Sequence, residues 1–143
     1  MPAPRTPPLV GLLLGVTLLG PAGCGTPDGR LPLVPVKGKI TVGGRAPVDA
    51  RVRFHPQDPA TAAHGVNPSA RVRADGTFEG GSYVKGDGVP AGEYVLTVTW
   101  DESTGRDGEM VDRLGGRFAD PKKSRWRVRV EAPATELEPF NIP

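Results

Sequence analysis

The chain has 143 residues, with 18 Lys+Arg against 16 Asp+Glu, two histidines, one cysteine and 6% aromatic side chains. That length holds one domain plus a targeting segment and excludes two well-buried cores. A net charge of +2 gives no general attraction to nucleic acid or anionic lipid, and one cysteine excludes an internal disulfide. Glycine (20) and proline (17) together exceed a quarter of the residues. They separate alternating apolar runs, which is the mark of many short strands joined by frequent turns.

Residues 1–23 read as a lipoprotein signal peptide. Arg5 is a short basic start, and Leu9 to Leu19 is an apolar run of 11 residues. A mature transmembrane helix needs about 20, whereas the shorter run suits the hydrophobic region of a secretory signal. Pro21, Ala22 and Gly23 then precede Cys24, an arrangement similar to a bacterial lipobox, in which the cysteine sulfur takes a diacylglycerol and becomes the first residue. Pro21 stands where that motif usually has leucine, and the alternative is an ordinary secretory signal cut elsewhere, with Cys24 unmodified. Cleavage before Cys24 removes Arg5 and no acid, leaving 17 cations against 16 anions. Residues 24–33 have no apolar period and read as a lipid-anchored tether.

The first strand is expected over Val34 to Val42, with Val36, Gly38, Ile40 and Val42 on one side, and Gly43-Gly44 makes a tight turn after it. Ala50 to His55 is a second strand, with Ala50, Val52 and Phe54 inward. Gln57 to Pro68 has no periodic face and reads as a surface loop. Ser69 to Ala74 continues with Ala70, Val72 and Ala74 inward. The Asp75-Gly76 turn hands the chain to Thr77 to Tyr83, which sends Phe78 to the core. Asp87-Gly88 and Pro90 mark further turns before the clearest strand, where Tyr94, Leu96, Val98 and Trp100 oppose Val95, Thr97 and Thr99. Met110, Val111, Leu114 and Phe118 have helical spacing and predict a short helix or turn within 101–119. Trp126, Val128 and Val130 alternate along Arg125 to Glu131, and Glu136 to Ile142 supplies a terminal strand at a sheet edge or beside the first strand.

These elements predict an all-β fold over residues 34–143: a single antiparallel seven-stranded β-sandwich, immunoglobulin-like or transthyretin-like, with a small barrel as the alternative. Three stretches carry a closer resemblance: VPVKGKITVGGRAPVDARVRFHP, DGTFEGGSYVKGDGVPAGEYVLTV and FADPKKSRWRVRVEAPATELEPFNI. Together they resemble the planctomycete-type exported lipoproteins that carry a carboxypeptidase regulatory-like, transthyretin-like domain. The resemblance implies a seven-stranded sandwich, an envelope location facing the periplasm or cell surface, and no peptidase activity, since the zinc-binding catalytic domain is absent from the chain. It carries over no catalytic residues.

Little in the sequence points to catalysis. His55 and His64 lie nine apart without the spacing of a metal site, and no nucleophile, phosphate-loop, calcium-loop or dinucleotide motif occurs. Neither a cofactor nor a metal is expected, and the chain reads as a non-enzyme. The alternative, a transthyretin-like hydrolase of a small carbonyl compound, needs several polar groups converging on His55 or His64. The binding content lies in outward arginines: Arg51 and Arg53, Arg71 and Arg73, then Arg125, Arg127 and Arg129. If their strands share a sheet they form a basic, planar face fit for an anionic polysaccharide or an envelope protein. The plainer reading is that cations on outward strand positions prevent edge-to-edge association. The expected role is a noncatalytic binding or structural display module, held to the membrane at Cys24.

Overall fold

The computed structural model describes residues 28–104 and 107–143, with Pro2; Cys24 and the signal segment lie outside the described residues. In chain order the elements are β1 (Leu33–Val34), β2 (Val36–Val42), β3 (Arg51–Pro56), α1 (Pro59–Ala63), β4 (Ser69–Arg71), β5 (Thr77–Glu79), β6 (Val89–Pro90), β7 (Gly92–Thr99), β8 (Asp101–Ser103), β9 (Met110–Asp112), β10 (Arg127–Val130), β11 (Thr135–Glu136) and β12 (Phe140–Ile142). The fold is an all-β sandwich. One sheet is antiparallel throughout, in the order β10-β7-β3-β4. The other is built on β2, with β5 antiparallel beside it and β11 and β12 parallel to it.

Period-two alternation decides which side chains meet between the sheets. Val52, Phe54, Tyr94, Leu96, Val98 and Val130 come from the first, and Val36, Ile40, Phe78 and Ile142 from the second; all are at most 2% exposed. Each such burial contributes about 1.5–3 kcal/mol. The Gly43-Gly44 turn takes φ of 56° and 77°, the two positive values a tight hairpin requires. Phe78 is fully buried, as its alternation predicts.

Three expectations are corrected and one is narrowed. The sheets are not wholly antiparallel, because the chain crosses from β10 to the other sheet and lies parallel beside β2, which does place the terminal strand next to the first expected one. Of the helix or turn expected within 101–119 the turn forms, over 113–118, after β8 and β9 pair, with Met110 and Val111 exposed and only Leu114 of that set buried. The Asp112 carboxylate stabilises this turn by accepting the N–H groups of Trp100, Leu114 and Gly116 at 2.9, 3.0 and 2.9 Å. Ala74 is exposed, since the chain reverses after Val72 and Gly76 donates to the Arg73 carbonyl. The loop over 57–68 contains α1, whose start is capped by Asp58 accepting the Thr61 N–H at 2.9 Å. Five residues are too few to show a helical period.

At its near end the chain is attached earlier than its composition suggests. Leu33 and Val34 pair with Pro90 and Val89, and the Leu31 N–H donates to the Tyr83 hydroxyl at 2.9 Å. The Asp87-Gly88 turn carries the load here. Gly88 has φ of +113°, and a Cβ on it would stand 2.7 Å from the Val34 carbonyl oxygen, so β1 and this turn meet backbone to backbone. Beyond it the Tyr94 hydroxyl donates to the Pro90 carbonyl at 2.8 Å, and burial pushes that phenol up to about 12. The turn thereby sets the register of β7.

Candidate functional site

The outward side of the β10-β7-β3-β4 sheet gathers five of the seven predicted arginines. Arg127 and Arg129 on β10 stand opposite Val95 and Glu93, Arg51 and Arg53 on β3 opposite Thr99 and Thr97, and Arg71 on β4 opposite Arg51. The condition for a shared basic face is therefore met. Its middle is closed: Val95 and Thr97, on the inner strand β7, are 2% exposed although they point outward.

The seven are not equivalent. Arg129 pairs with Glu131 at 2.9 Å and has Glu93 opposite, so its charge is locally balanced. Arg73 lies past the end of β4 and donates to Glu79 at 2.6 Å, and this bond, with the attraction of the charges, holds the Glu79 carboxyl below its usual range. Such solvent-exposed pairs add little to stability. Arg125 precedes β10, its guanidinium 5.5 Å from the Trp126 ring centre. Arg51, Arg53, Arg71 and Arg127 have no carboxylate partner among the described residues. They are the uncompensated cations of the face.

His55 also belongs to this face. Its Nε2 and the Thr97 Oγ1 are 2.8 Å apart; burial, then the neighbouring Arg53 charge, lowers the imidazole pKa, which favours the neutral ring. A hydroxyl bonded to an imidazole is the contact of a nucleophile–base pair. The third member, a carboxylate bonded to the far ring nitrogen to orient the base, does not occur among the described residues, and Thr97 is too deeply buried for a substrate carbonyl to reach. His64 is exposed at the end of α1. No three metal-ligating side chains converge among the described residues.

Beside Arg51 and Arg71 lies a groove of about 640 Å³ between β4 and the turn over 82–86. Arg73, Glu79 and Asn67 also line it, and Tyr83, Val84 and Lys85 come from the turn. The turn is folded back by Asp87, whose carboxylate accepts the N–H groups of Ser82, Tyr83 and Val84 at 2.7, 3.1 and 3.0 Å. Burial raises that carboxyl's pKa, but the backbone donors together outweigh it and leave it lowered. Sequence reading missed this groove because the turn has no period. Its one signal is an apolar Val84 set among Tyr83, Lys85 and glycines, where a solvated turn has no use for it.

No family model matches the chain, and no curated protein matches it. A solved structure from Pseudomonas aeruginosa, described as a "putative carbohydrate binding protein", is similar over 78% of this chain and 88% of that one, at 12% identity and a TM-score of 0.37. That likeness is too distant to carry a functional argument.

Proposed function

We propose that this chain is an exported lipoprotein of the type it resembles, bearing a carboxypeptidase regulatory-like, transthyretin-like domain, and that it acts as a noncatalytic binding module of the cell envelope whose arginine face takes an anionic polysaccharide. The observation that carries the reading is the placement of Arg51, Arg53, Arg71 and Arg127 on one outward sheet face without carboxylate partners among the described residues. Guanidinium groups take carboxylates and sulfates by paired hydrogen bonds, and a flat face suits a repeating polymer better than a compact ligand. The buried Thr97 hydroxyl beside His55 supports binding over hydrolysis.

Removing two of these charges tests the face. Arg53→Gln with Arg127→Gln keeps most of each aliphatic stem and breaks no ion pair among the described residues, so the fold should be unaffected. Two lost charge-assisted contacts should weaken binding of polygalacturonate about tenfold, and the wild-type affinity should fall steeply with added salt. Affinity that ignores both the substitutions and the salt would count against an electrostatic face.

The anchor rests on the signal segment and Cys24. Cys24→Ala is expected to move the protein from the membrane fraction to the soluble periplasm and to abolish acyl labelling. A variant that stays with the membrane, beside an unlabelled wild type, would rule lipidation out. Stable anchoring takes more than one acyl chain, as a mature bacterial lipoprotein has.

A further inference from the structure

We propose that the groove between β4 and the turn over 82–86 is a subsite for one carboxylated sugar residue, its carboxylate held by Arg51 and Arg71 and its ring set against Tyr83 and Val84; this rests on the anionic-polysaccharide reading and narrows it. Arg51 and Arg71 are directly opposite in the β3–β4 ladder, where side chains stand about 4.5–5.5 Å apart at Cβ and like charges oppose folding. Neither has a carboxylate partner among the described residues. An arriving carboxylate relieves that repulsion and accepts from both forks.

The rest of the lining selects a sugar acid over a bare anion. Glu79 uses Oε2 for Arg73, and Asn67 uses Nδ2 for the Gly65 carbonyl, which leaves Glu79 Oε1 and Asn67 Oδ1 as acceptors. Sulfate has no donor to offer them and hydrogen phosphate has few, whereas a sugar acid brings several hydroxyls. Val84 is 67% exposed at the groove and supplies, with the Tyr83 ring, an apolar surface for the C–H face of a sugar. That wall is held in advance: the N–H groups of Tyr83 and Val84 both donate to Asp87, and the Tyr83 hydroxyl accepts from Leu31. A prearranged wall lowers the ordering cost of binding. The volume, about 640 Å³, lies within the span of about 300–1,000 Å³ usual for small-ligand sites.

The test compares short and long ligands on the full chain by calorimetry and amide chemical shifts. The galacturonate trisaccharide should bind and shift the amides of 82–85, and the neutral galactose trisaccharide should not. Val84→Asp, at an exposed position, should weaken the acidic trisaccharide at least about tenfold by setting a carboxylate in the groove, and Arg71→Gln should do the same by removing one of the two guanidinium groups. Polygalacturonate should lose less than about threefold with Val84→Asp, because Arg53 and Arg127 lie outside the groove. If the polymer binds while the trisaccharide fails to bind, or ignores Val84→Asp, the subsite is refuted and the arginine face stands. Inorganic phosphate displacing the trisaccharide at equal concentration would reduce the groove to a general anion site and refute the sugar assignment. Failure of both ligands would remove the face and the subsite together.

Discussion

Gly38→Ala is expected to destabilise the domain by about 3 kcal/mol and to lower its thermal midpoint by about 12 °C. Gly38 on β2 pairs directly with Phe78 on β5, and the phenyl ring lies over the glycine. A Cβ at Gly38 would stand 2.3 Å from Phe78 Cζ and 2.8 Å from Cε1 and Cε2. The ring cannot back away, because Phe78 is fully buried and Phe140 stacks on it with centroids 6.3 Å apart. The chain must therefore shift a strand or expel an aromatic side chain from the core. Combining Gly38→Ala with Phe78→Leu removes the atom that clashes, so the double variant should be more stable than the sum of the two single losses predicts. Simple additivity, or a midpoint for Gly38→Ala within about 2 °C of wild type, would mean that the ring is not seated on the glycine.

Asp87→Ala should cost about 2 kcal/mol, seen as a fall of about 8 °C in the thermal midpoint. The carboxylate serves three backbone donors at once, Ser82, Tyr83 and Val84, and alanine leaves them to find water in a turn that is partly buried. Asp87→Asn keeps one acceptor oxygen and should lose about half as much. The pH dependence has a defined sign. The folded-state pKa is lowered, with the desolvation that raises it outweighed by the backbone donors. The stabilisation is therefore complete above the ordinary carboxylate range and disappears as pH falls through the lowered value. The stability gap between wild type and Asp87→Ala should accordingly be widest near neutrality and narrow in acid. A gap that stays constant into strong acid would show that the charge of Asp87 is not what holds the turn. The same substitution should loosen the groove wall, since Tyr83 and Val84 are positioned by these bonds.

Much of the sandwich was legible in the sequence because its strands are half-buried and alternate. Val36, Ile40, Val52, Phe54, Val72, Phe78 and Leu96 face inward as period two requires. Where alternation failed as a guide, a specific interaction overrode it. The spacing of Met110, Val111, Leu114 and Phe118 is helical, yet Asp112 ties the segment into a hairpin and turn by taking three backbone donors. A polar residue acting on the backbone leaves no trace in an apolar period. Helix α1 was hidden for a related reason: its stability rests on the Asp58 cap and not on a buried face, since none of its residues is buried.

The candidate site divides the same way. Alternation alone sends Arg51, Arg53, Arg71, Arg127 and Arg129 outward, and composition alone marks the apolar N-terminal run and the single Cys24. Local residue order determines these properties, since each depends only on neighbours a few positions away. Strand pairing decided the rest. It put Arg71 opposite Arg51, set Glu93 against Arg129, and buried Thr97 beside His55. It also seated the Phe78 ring on Gly38 and folded Val84 toward β4 to close a groove. Those contacts join residues far apart in the chain, and their strength depends on register and on which charges already have partners, quantities that exist only once the sheets have formed.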